Sequence, residues 1–167
     1  LIGVAFDCYL IVDCGDSLLL VDQHAAHERV LFEQLRHEVL EKGRITAQSL
    51  LLPLSFSLSS EAVCAALGAE KEFSDLGYTF TVEDRTVTLT EIPSALDPSE
   101  AESFFSRTAE EMADGGASAS LSDLARRERT LYQMACKAAI KGGRSYDEAH
   151  LRWLIDRLHE MPQVLVC

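Results

Sequence analysis

The sequence predicts an α+β (mixed α/β) fold, because segments with strand periodicity alternate with segments of helical periodicity. SLLLVD (17–22) is short and continuously apolar, as in a buried strand. YTFTVED (78–84) and TVTLTEIP (86–93) alternate polar and apolar residues, which is typical of a hairpin with one face in water. From His24 to about Lys42, apolar residues recur at helical spacing between charged ones, which predicts an amphipathic helix.

The start of the chain predicts a hairpin that leads into this helix. Residues 4–14 are rich in β-branched and aromatic side chains, and Cys14-Gly15-Asp16 supplies a turn before the strand at 17–22. Gly43 marks the predicted end of the helix, because glycine readily adopts the left-handed conformation that follows a helix.

The rest of the chain predicts further strands and helices. Residues 45–58 are strand-like, and Pro53 either breaks this strand or marks a sheet edge, because proline cannot donate a backbone hydrogen bond. The remaining predicted elements are helices from Ser59 to about Leu76 (ended by Gly77), from Pro98 to about 113, over 121–140 (ended by Gly142-Gly143) and over 146–161, a Gly/Ser-rich linker at 113–120, and a last strand at 163–166.

This order predicts two lobes within one chain. Residues 1–45 and 121–167 form one lobe, and residues 46–120 form a smaller lobe inserted between its two halves. The first residue falls almost inside a strand-like segment, which suggests a domain taken from a longer protein.

Composition limits the functional class. Hydrophobic residues make up 47% of the chain and charged residues 25%, as in ordinary globular proteins. No apolar stretch is long enough to span a bilayer, and the start of the chain does not resemble a signal peptide, so no membrane association is expected. The five cysteines are odd in number and lack CxxC pairs, which fits reduced cytosolic thiols better than a disulfide framework.

The formal net charge of −12 restricts any role with nucleic acid. Affinity for DNA comes mainly from Lys and Arg side chains that displace counterions from phosphates. We therefore expect this chain to bind DNA only weakly by itself, so that another domain, a partner or bound cations must supply attraction.

A cluster of metal-capable side chains stands where the second strand turns into the first helix. Asp22 is placed to cap the helix, and His24 and Glu28 are four residues apart, about 40° from one another on one helical face. One imidazole and two carboxylates suit Zn²⁺ or Mn²⁺ better than Mg²⁺. His27 and Glu33 lie about 100° and 140° round the helix from Glu28, so neither is expected to bind the same ion.

An ordinary structural interpretation of this cluster is also open. Asp is a common helix cap, acidic residues near a helix start offset the helix dipole, and a helix with His and Glu is often just a solvated surface. Spacing alone therefore does not establish a metal site.

The residues nevertheless match a longer pattern. DQHAAHERVLFE (22–33) resembles the endonuclease motif in the C-terminal domain of MutL-family DNA mismatch repair proteins. QSLLLP (48–53) resembles the family's QxLLxP element, and ACKAAIK (135–141) resembles its second metal-site motif. The family's last motif begins with a cysteine, and Cys167 stands in that setting, but the histidine that follows in the family has no counterpart before the chain stops.

The resemblance implies a latent DNA-nicking endonuclease that uses one or two Zn or Mn ions. Asp22, His24 and Glu28 would be the catalytic metal ligands. Cys136 would join them around one ion, and Glu28 with Cys167 would contribute to a second. Around these ligands, the resemblance assigns supporting positions to Gln23, Glu33 and Lys137. The lobe of residues 1–45 and 121–167 would carry the dimerisation and metal site, and 46–120 would be regulatory.

Partners also follow from the resemblance. Docking to the replication sliding clamp would involve Gln48, Leu50, Leu51 and Pro53, although an ordinary edge strand explains the same residues. The protein would form a homodimer, reach a mismatch-recognition protein through its full-length form, and act at the nucleoid in the bacterial cytoplasm. ATP would bind only to an N-terminal domain that this chain does not contain.

Two other functions remain possible at this point. One is a non-catalytic dimerisation and clamp-docking module with a structural metal site. The other is an unrelated zinc hydrolase, against which the chain has no HExxH, nucleophile elbow or Gly-rich phosphate loop.

The remaining His, Cys and apolar positions are assigned to structural roles. The apolar residues of the opening hairpin and of the last helix serve either a dimer face or the interior core (in the helix, Leu151, Trp153, Leu154, Ile155, Leu158). Other His residues are expected at the surface (His37, His150, His159), and other cysteines in packing (Cys8, Cys14, Cys64).

Overall fold

The computed structural model describes residues 1–115, 123–139 and 146–161. These residues confirm the predicted α+β class, with six helices and two antiparallel three-stranded sheets. In chain order the elements are β1 (Gly3–Ala5), β2 (Tyr9–Asp13), β3 (Leu18–Asp22), α1 (Gln23–Lys42), β4 (Ala47–Ser57), α2 (Ser60–Gly68), α3 (Glu70–Asp75), β5 (Thr79–Glu83), β6 (Thr86–Pro93), α4 (Pro98–Ala113), α5 (Asp123–Ala138) and α6 (Glu148–His159).

The chain divides into two compact units. The first combines Leu1–Gln34 with Ala139–Cys167, and the second is Leu35–Ala138. This division follows packing alone. It does not test the predicted lobe limits of 1–45 with 121–167 and 46–120, which stay a prediction. Within the described ranges, no helix is long and apolar enough to cross a membrane.

The sheet of the first unit contains the predicted opening hairpin. Strands β2 and β3 pair in antiparallel register, with Leu10 opposite Val21. Residues 4–14, predicted as one strand, instead form β1 and β2 with a tight turn between them. Phe6 and Asp7 have φ angles of 55° and 51°, in the left-handed region that breaks a strand.

The core of the first unit joins this sheet to helices α1 and α6. Leu10, Ala26 and Val30 are buried with the leucines of α6 in one cluster. Leu151, Leu154 and Leu158 are all buried there, and Trp153 and Ile155 pack against them. Of the two roles that the sequence left open, a dimer face or the interior core, interior packing therefore accounts for the apolar residues of the last helix.

The second unit is built on the sheet ordered β4-β6-β5. The predicted hairpin of β5 and β6 is confirmed, and β4 lies at an edge as Pro53 predicted. The pairing of β4 with β6 shifts in register between Ser49 and Leu54, and we call this irregular part of β4 the bulge. Buried aromatic rings fill the core, with the Phe73 and Phe105 centroids 4.2 Å apart.

Helix boundaries in the second unit follow the predicted caps with one difference. The Ser59 side chain accepts a hydrogen bond from the Ala62 backbone N–H, which confirms the predicted helix start. The single helix predicted to Leu76 is two helices, because Ala69 leaves helical geometry at φ −113° and ψ 26°. Gly77, with φ +89°, follows the second helix as predicted.

Later elements agree with the sequence where they are described. Asp97 caps α4, which starts at Pro98 as predicted. Helix α5 falls within the predicted helix 121–140, and α6 within 146–161. The predicted last strand (163–166), most of the linker (113–120) and the glycines at 142–143 lie outside the residues described.

Helix α1 begins directly after β3 and is capped by Asp22. The Asp22 Oδ1 atom accepts hydrogen bonds from the backbone N–H groups of His24 and Ala25, at 2.9 Å and 3.0 Å. These bonds satisfy two of the N–H groups that a helix start leaves without intrahelical partners. The predicted capping role of Asp22 is confirmed.

We predict that Asp22→Ala lowers the free energy of unfolding by about 1 kcal/mol, because the two capping hydrogen bonds are lost. Asp22→Asn should change it much less, because an amide oxygen also caps a helix well. Chemical denaturation of the metal-free proteins measures the difference. Equal losses in both variants would show that the carboxylate charge, and not the cap, stabilises the helix start.

Candidate metal centre

The first turn of α1 brings together two predicted metal ligands. The Nδ1 atom of His24 lies 3.5 Å from the Oε1 atom of Glu28. The His24 side chain is 44% exposed and that of Glu28 16%, so the pair is accessible from solvent on one side. One helical turn therefore places an imidazole nitrogen and a carboxylate oxygen close enough to contact the same cation.

Asp22 is fixed beside this pair by its capping bonds. Its Oδ1 atom is engaged with the backbone N–H groups of His24 and Ala25. A carboxylate has two oxygens and about four lone-pair sites, so capping through Oδ1 is compatible with a further contact through Oδ2. The donor types of Asp22, His24 and Glu28 thus fit Zn²⁺ or Mn²⁺.

The complete ligand set stays a prediction. In the part of the chain that is described, no three His, Cys, Asp or Glu side chains are grouped so that they could hold a metal ion. Cys136 is a half-buried cysteine of α5 and belongs to the second unit. Cys167 lies beyond the last described residue.

The residues predicted to support the ligands have structural contacts of their own. Gln23 is buried, and its backbone N–H donates to the Cys8 carbonyl oxygen at 2.8 Å. Glu33 forms an ion pair of 2.6 Å with Arg29 on the same helix. In the second unit, Lys137 Nζ lies 3.3 Å from an oxygen of Glu100.

His27 occupies the buried side of the same helical turn. Its ring centroid lies 5.3 Å from that of His150 and 6.0 Å from that of Trp153, both in edge-on geometry. Burial, and to a smaller extent the neighbouring His150 and His24, lowers the pKa of His27 to about 4. His27 is therefore neutral near pH 7, and its ring acts as a packing group.

The assignment of His150 to the surface was wrong. Its ring stacks on Tyr146 at 5.2 Å and contacts Trp153 at 5.4 Å, and the residue is half-buried. Tyr146 and Trp153 stand four residues before and three after His150, a helical spacing that could have indicated this cluster. The surface assignments of His37 and His159 are confirmed.

None of the described cysteines is joined to another in a disulfide. Cys8 is half-buried, in keeping with a packing role. Cys14 and Cys64 are exposed, so their assignment to packing was wrong. Cys14 follows the end of β2, in the turn before β3, and such turns usually lie at the surface.

The QSLLLP segment lies in the edge strand β4 and its bulge. The Gln48 side chain donates to the Leu96 carbonyl oxygen at 2.9 Å, and Leu50 is half-buried. Leu51 and Leu52 are 102% and 84% exposed, and Pro53 is exposed beside them. Leu52 was not among the predicted docking residues, and the bulge explains why two successive leucines are both exposed.

A second exposed apolar surface lies on the sheet of the first unit. Leu10 and Val21 pair on the face that meets the core, so the alternate residues point to the opposite face. Leu18 and Leu20 are 66% and 62% exposed there, with Tyr9 and Ile11 on the same face. We call these four residues the outer sheet face.

Comparison with known proteins matches this chain to one family. Residues 2–146 match the MutL C terminal dimerisation domain. The chain is 33% identical over 163 residues to the DNA mismatch repair protein MutL of Heliobacterium modesticaldum, covering 95% of this chain and 24% of that protein. It is 31% identical to the protein of the same name from Kosmotoga olearia, covering 100% of this chain and 26% of that protein.

A third relative extends the same pattern. The MutL protein of Neisseria meningitidis is 30% identical over 167 residues, covering 95% of this chain and 24% of that protein. The chain thus spans about a quarter of the length of these relatives. These findings show that the chain belongs to the family of MutL C-terminal dimerisation domains, which are part of DNA mismatch repair proteins.

Proposed function

We propose that this chain is the dimerisation and metal-dependent endonuclease module of a bacterial MutL-type mismatch repair protein. The observation that carries the proposal is the approach of His24 to Glu28 within one turn of α1, at a helix start that Asp22 caps. A family member that only dimerises has no need of an imidazole and two carboxylates at one helix start. The proposed site of action is the bacterial cytoplasm, at the nucleoid.

The chemistry proposed for this helix start is cleavage of a phosphodiester bond in DNA. A bound Zn²⁺ or Mn²⁺ would supply an activated water and offset the charge on the phosphate oxygens. Asp22 would contribute a carboxylate whose position is fixed by the helix cap, and Glu28 a partly sheltered carboxylate one turn later. Cys136 and Cys167 remain the proposed thiolate ligands that would complete one or two ion sites.

Low activity of the isolated chain follows from its charge. A net charge of −12 repels the DNA backbone except where cations are concentrated. We therefore propose that partners bring the module to DNA: an N-terminal ATP-binding domain, a mismatch-recognition protein and the sliding clamp. This dependence would keep the endonuclease latent until it is loaded.

We predict that Glu28→Gln and Asp22→Asn weaken Mn²⁺ or Zn²⁺ binding by at least about 100-fold. Removing a residue that only hydrogen-bonds to a metal ligand costs up to about 100-fold, and removing the ligand itself should cost at least as much. Isothermal titration with each metal measures the affinity. The same variants should lose Mn²⁺-dependent conversion of supercoiled plasmid to the nicked form in the presence of the clamp.

The chain offers a matched control for this experiment. His37 Nε2 and Glu41 Oε1 are 3.3 Å apart at the same four-residue spacing on α1, but without an aspartate cap beside them. Glu41→Gln should therefore leave metal binding unchanged. Equal affinity in wild type, Glu28→Gln and Glu41→Gln would refute the metal centre. Intact metal binding and dimerisation without nicking would favour the alternative, a non-catalytic module with a structural metal.

We propose that the outer sheet face forms the homodimer interface. Its apolar side chains lie on the one face of the sheet that the core of the first unit does not use. A sheet face with exposed Leu18 and Leu20 is typical of surfaces that become buried on association. Helix α6 is not needed for this role, since its leucines are already buried.

We predict that Leu20→Glu weakens dimerisation at least tenfold, because burying one leucine contributes about 1.5–3 kcal/mol and a buried carboxylate opposes association further. Sedimentation velocity over a range of concentrations measures the monomer–dimer equilibrium. The control is Leu40→Glu, at an exposed position of α1, which should dimerise like the wild type. A dimer of unchanged affinity in Leu20→Glu would place the interface elsewhere.

We propose that the bulge of β4 docks to the replication sliding clamp. Leu51 and Leu52 project from an edge strand, next to Pro53, whose ring restricts the backbone. Exposed apolar anchors on an extended segment suit an apolar groove on a partner. Gln48 is bonded to the Leu96 carbonyl, so its contribution would be to hold the strand in place.

We predict that Leu51→Asp weakens clamp binding at least tenfold, because one buried leucine side chain contributes about 1.5–3 kcal/mol. Surface plasmon resonance on immobilised clamp measures the affinity. Leu67→Asp provides the control, since Leu67 is an exposed leucine of α2 in the same unit. Parallel losses in both variants would indicate a general charge effect and would contradict docking through the bulge.

A further inference from the structure

The amino-terminal half of α5 carries a concentration of positive charge. Arg126, Arg127 and Arg129 occupy three of four successive positions near the start of the helix, and all three are exposed. The whole chain has 15 Lys and Arg against 27 Asp and Glu, so a local concentration of positive charge is unusual in it. Glu128, the acidic residue inside the cluster, is engaged by Arg36 at 3.8 Å.

These arginines line one cleft of the second unit. The cleft has a volume of about 520 Å³ and is also lined by the carboxylates of Glu72, Asp75 and Glu111. Asp75 is paired with Lys71 at 2.9 Å. Glu111 is paired with Arg107 at 3.8 Å. Together with Lys71 and Arg107, the three arginines outnumber the three carboxylates, so the charges in and beside the cleft sum to a positive excess.

The arrangement is unfavourable for the helix by itself. Positive side chains near a helix start oppose the positive end of the helix dipole. Arg126 and Arg129 are three residues apart, so they are like-charged neighbours on the helix surface. A bound polyanion would remove both penalties, which is the type of local conflict expected at a functional site.

The cluster is rigidly connected to one of the proposed metal ligands. Arg129 and Cys136 are seven residues apart on α5, which places them within about 20° of the same side of the helix and about 10 Å apart along it. Successive phosphates of one DNA strand advance about 3.4 Å along the duplex. The spacing therefore corresponds to about three base-pair steps.

From these observations we infer that the arginine cluster of α5 binds the phosphate backbone of duplex DNA. Arg126, Arg127 and Arg129 would hold phosphates about three base pairs from the one brought to Cys136. Arginine suits this task because its planar group donates two parallel hydrogen bonds to a phosphate. The inference rests on the proposed endonuclease function for its biological purpose, but DNA binding at this cluster needs no metal.

The test is DNA binding by the 167-residue chain in EDTA, measured as the fluorescence anisotropy of a fluorescein-labelled duplex at low salt. We expect Arg127→Gln/Arg129→Gln to lower the affinity at least tenfold. The slope of log affinity against log salt should also fall by about two, since each lost phosphate contact removes about one unit.

The control removes the same charge elsewhere. Arg85→Gln/Arg152→Gln changes two exposed arginines, one in the β5–β6 turn and one in α6, and gives the same net charge. This variant should bind DNA within about twofold of the wild type, because its lost charges are not part of the cluster. Thermal unfolding checks that both double variants fold.

Three results bear on the inference and separate it from the endonuclease proposal. Equal weakening in both double variants would overturn it, since only net charge would matter. Absence of wild-type binding at low salt would also overturn it. Weakening confined to Arg127→Gln/Arg129→Gln would support the inference, whether or not the metal-binding experiment supports the endonuclease proposal.

Discussion

The packing of the first turns of α1 against the sheet of the first unit is the constraint on which the candidate metal centre depends. Ala26 and Val30 are buried in the core with Leu10, and they lie about 200° round the helix from His24 and Glu28. Burial of one face therefore turns the other toward solvent. Asp22 fixes where the helix begins, so the direction of both ligand side chains follows from a cap and a core.

Local sequence was sufficient to predict this helix start, and insufficient for features that depend on partners distant in the chain. The cap at Asp22 and the proximity of His24 to Glu28 follow from spacing on one helix. The location of His150 did not, because its burial depends on His27, which is more than a hundred residues earlier in the sequence. Periodicity also missed the break at Phe6 and Asp7, because strand-forming residues stand on both sides of it although the backbone leaves the strand conformation there.

Charge in this chain is distributed in a way that its net value conceals. The overall balance of −12 describes a surface that repels nucleic acid at long range. At short range, arginines on α5 and carboxylates already paired with other cations produce a region of opposite sign. Such a pattern would favour DNA held in one orientation over DNA that approaches any part of the surface, since screening removes most of the long-range field within about 8 Å at physiological salt.

The irregular edge of β4 has a consequence for solubility. An edge strand of eleven residues, with unpaired backbone groups along one side, is a template on which another chain could add a strand. Proline and the shift in register between Ser49 and Leu54 interrupt that row of hydrogen-bonding groups. The irregularity that exposes two leucines therefore also opposes edge-to-edge aggregation of the sheet. An apolar contact surface can remain exposed there without promoting fibre formation.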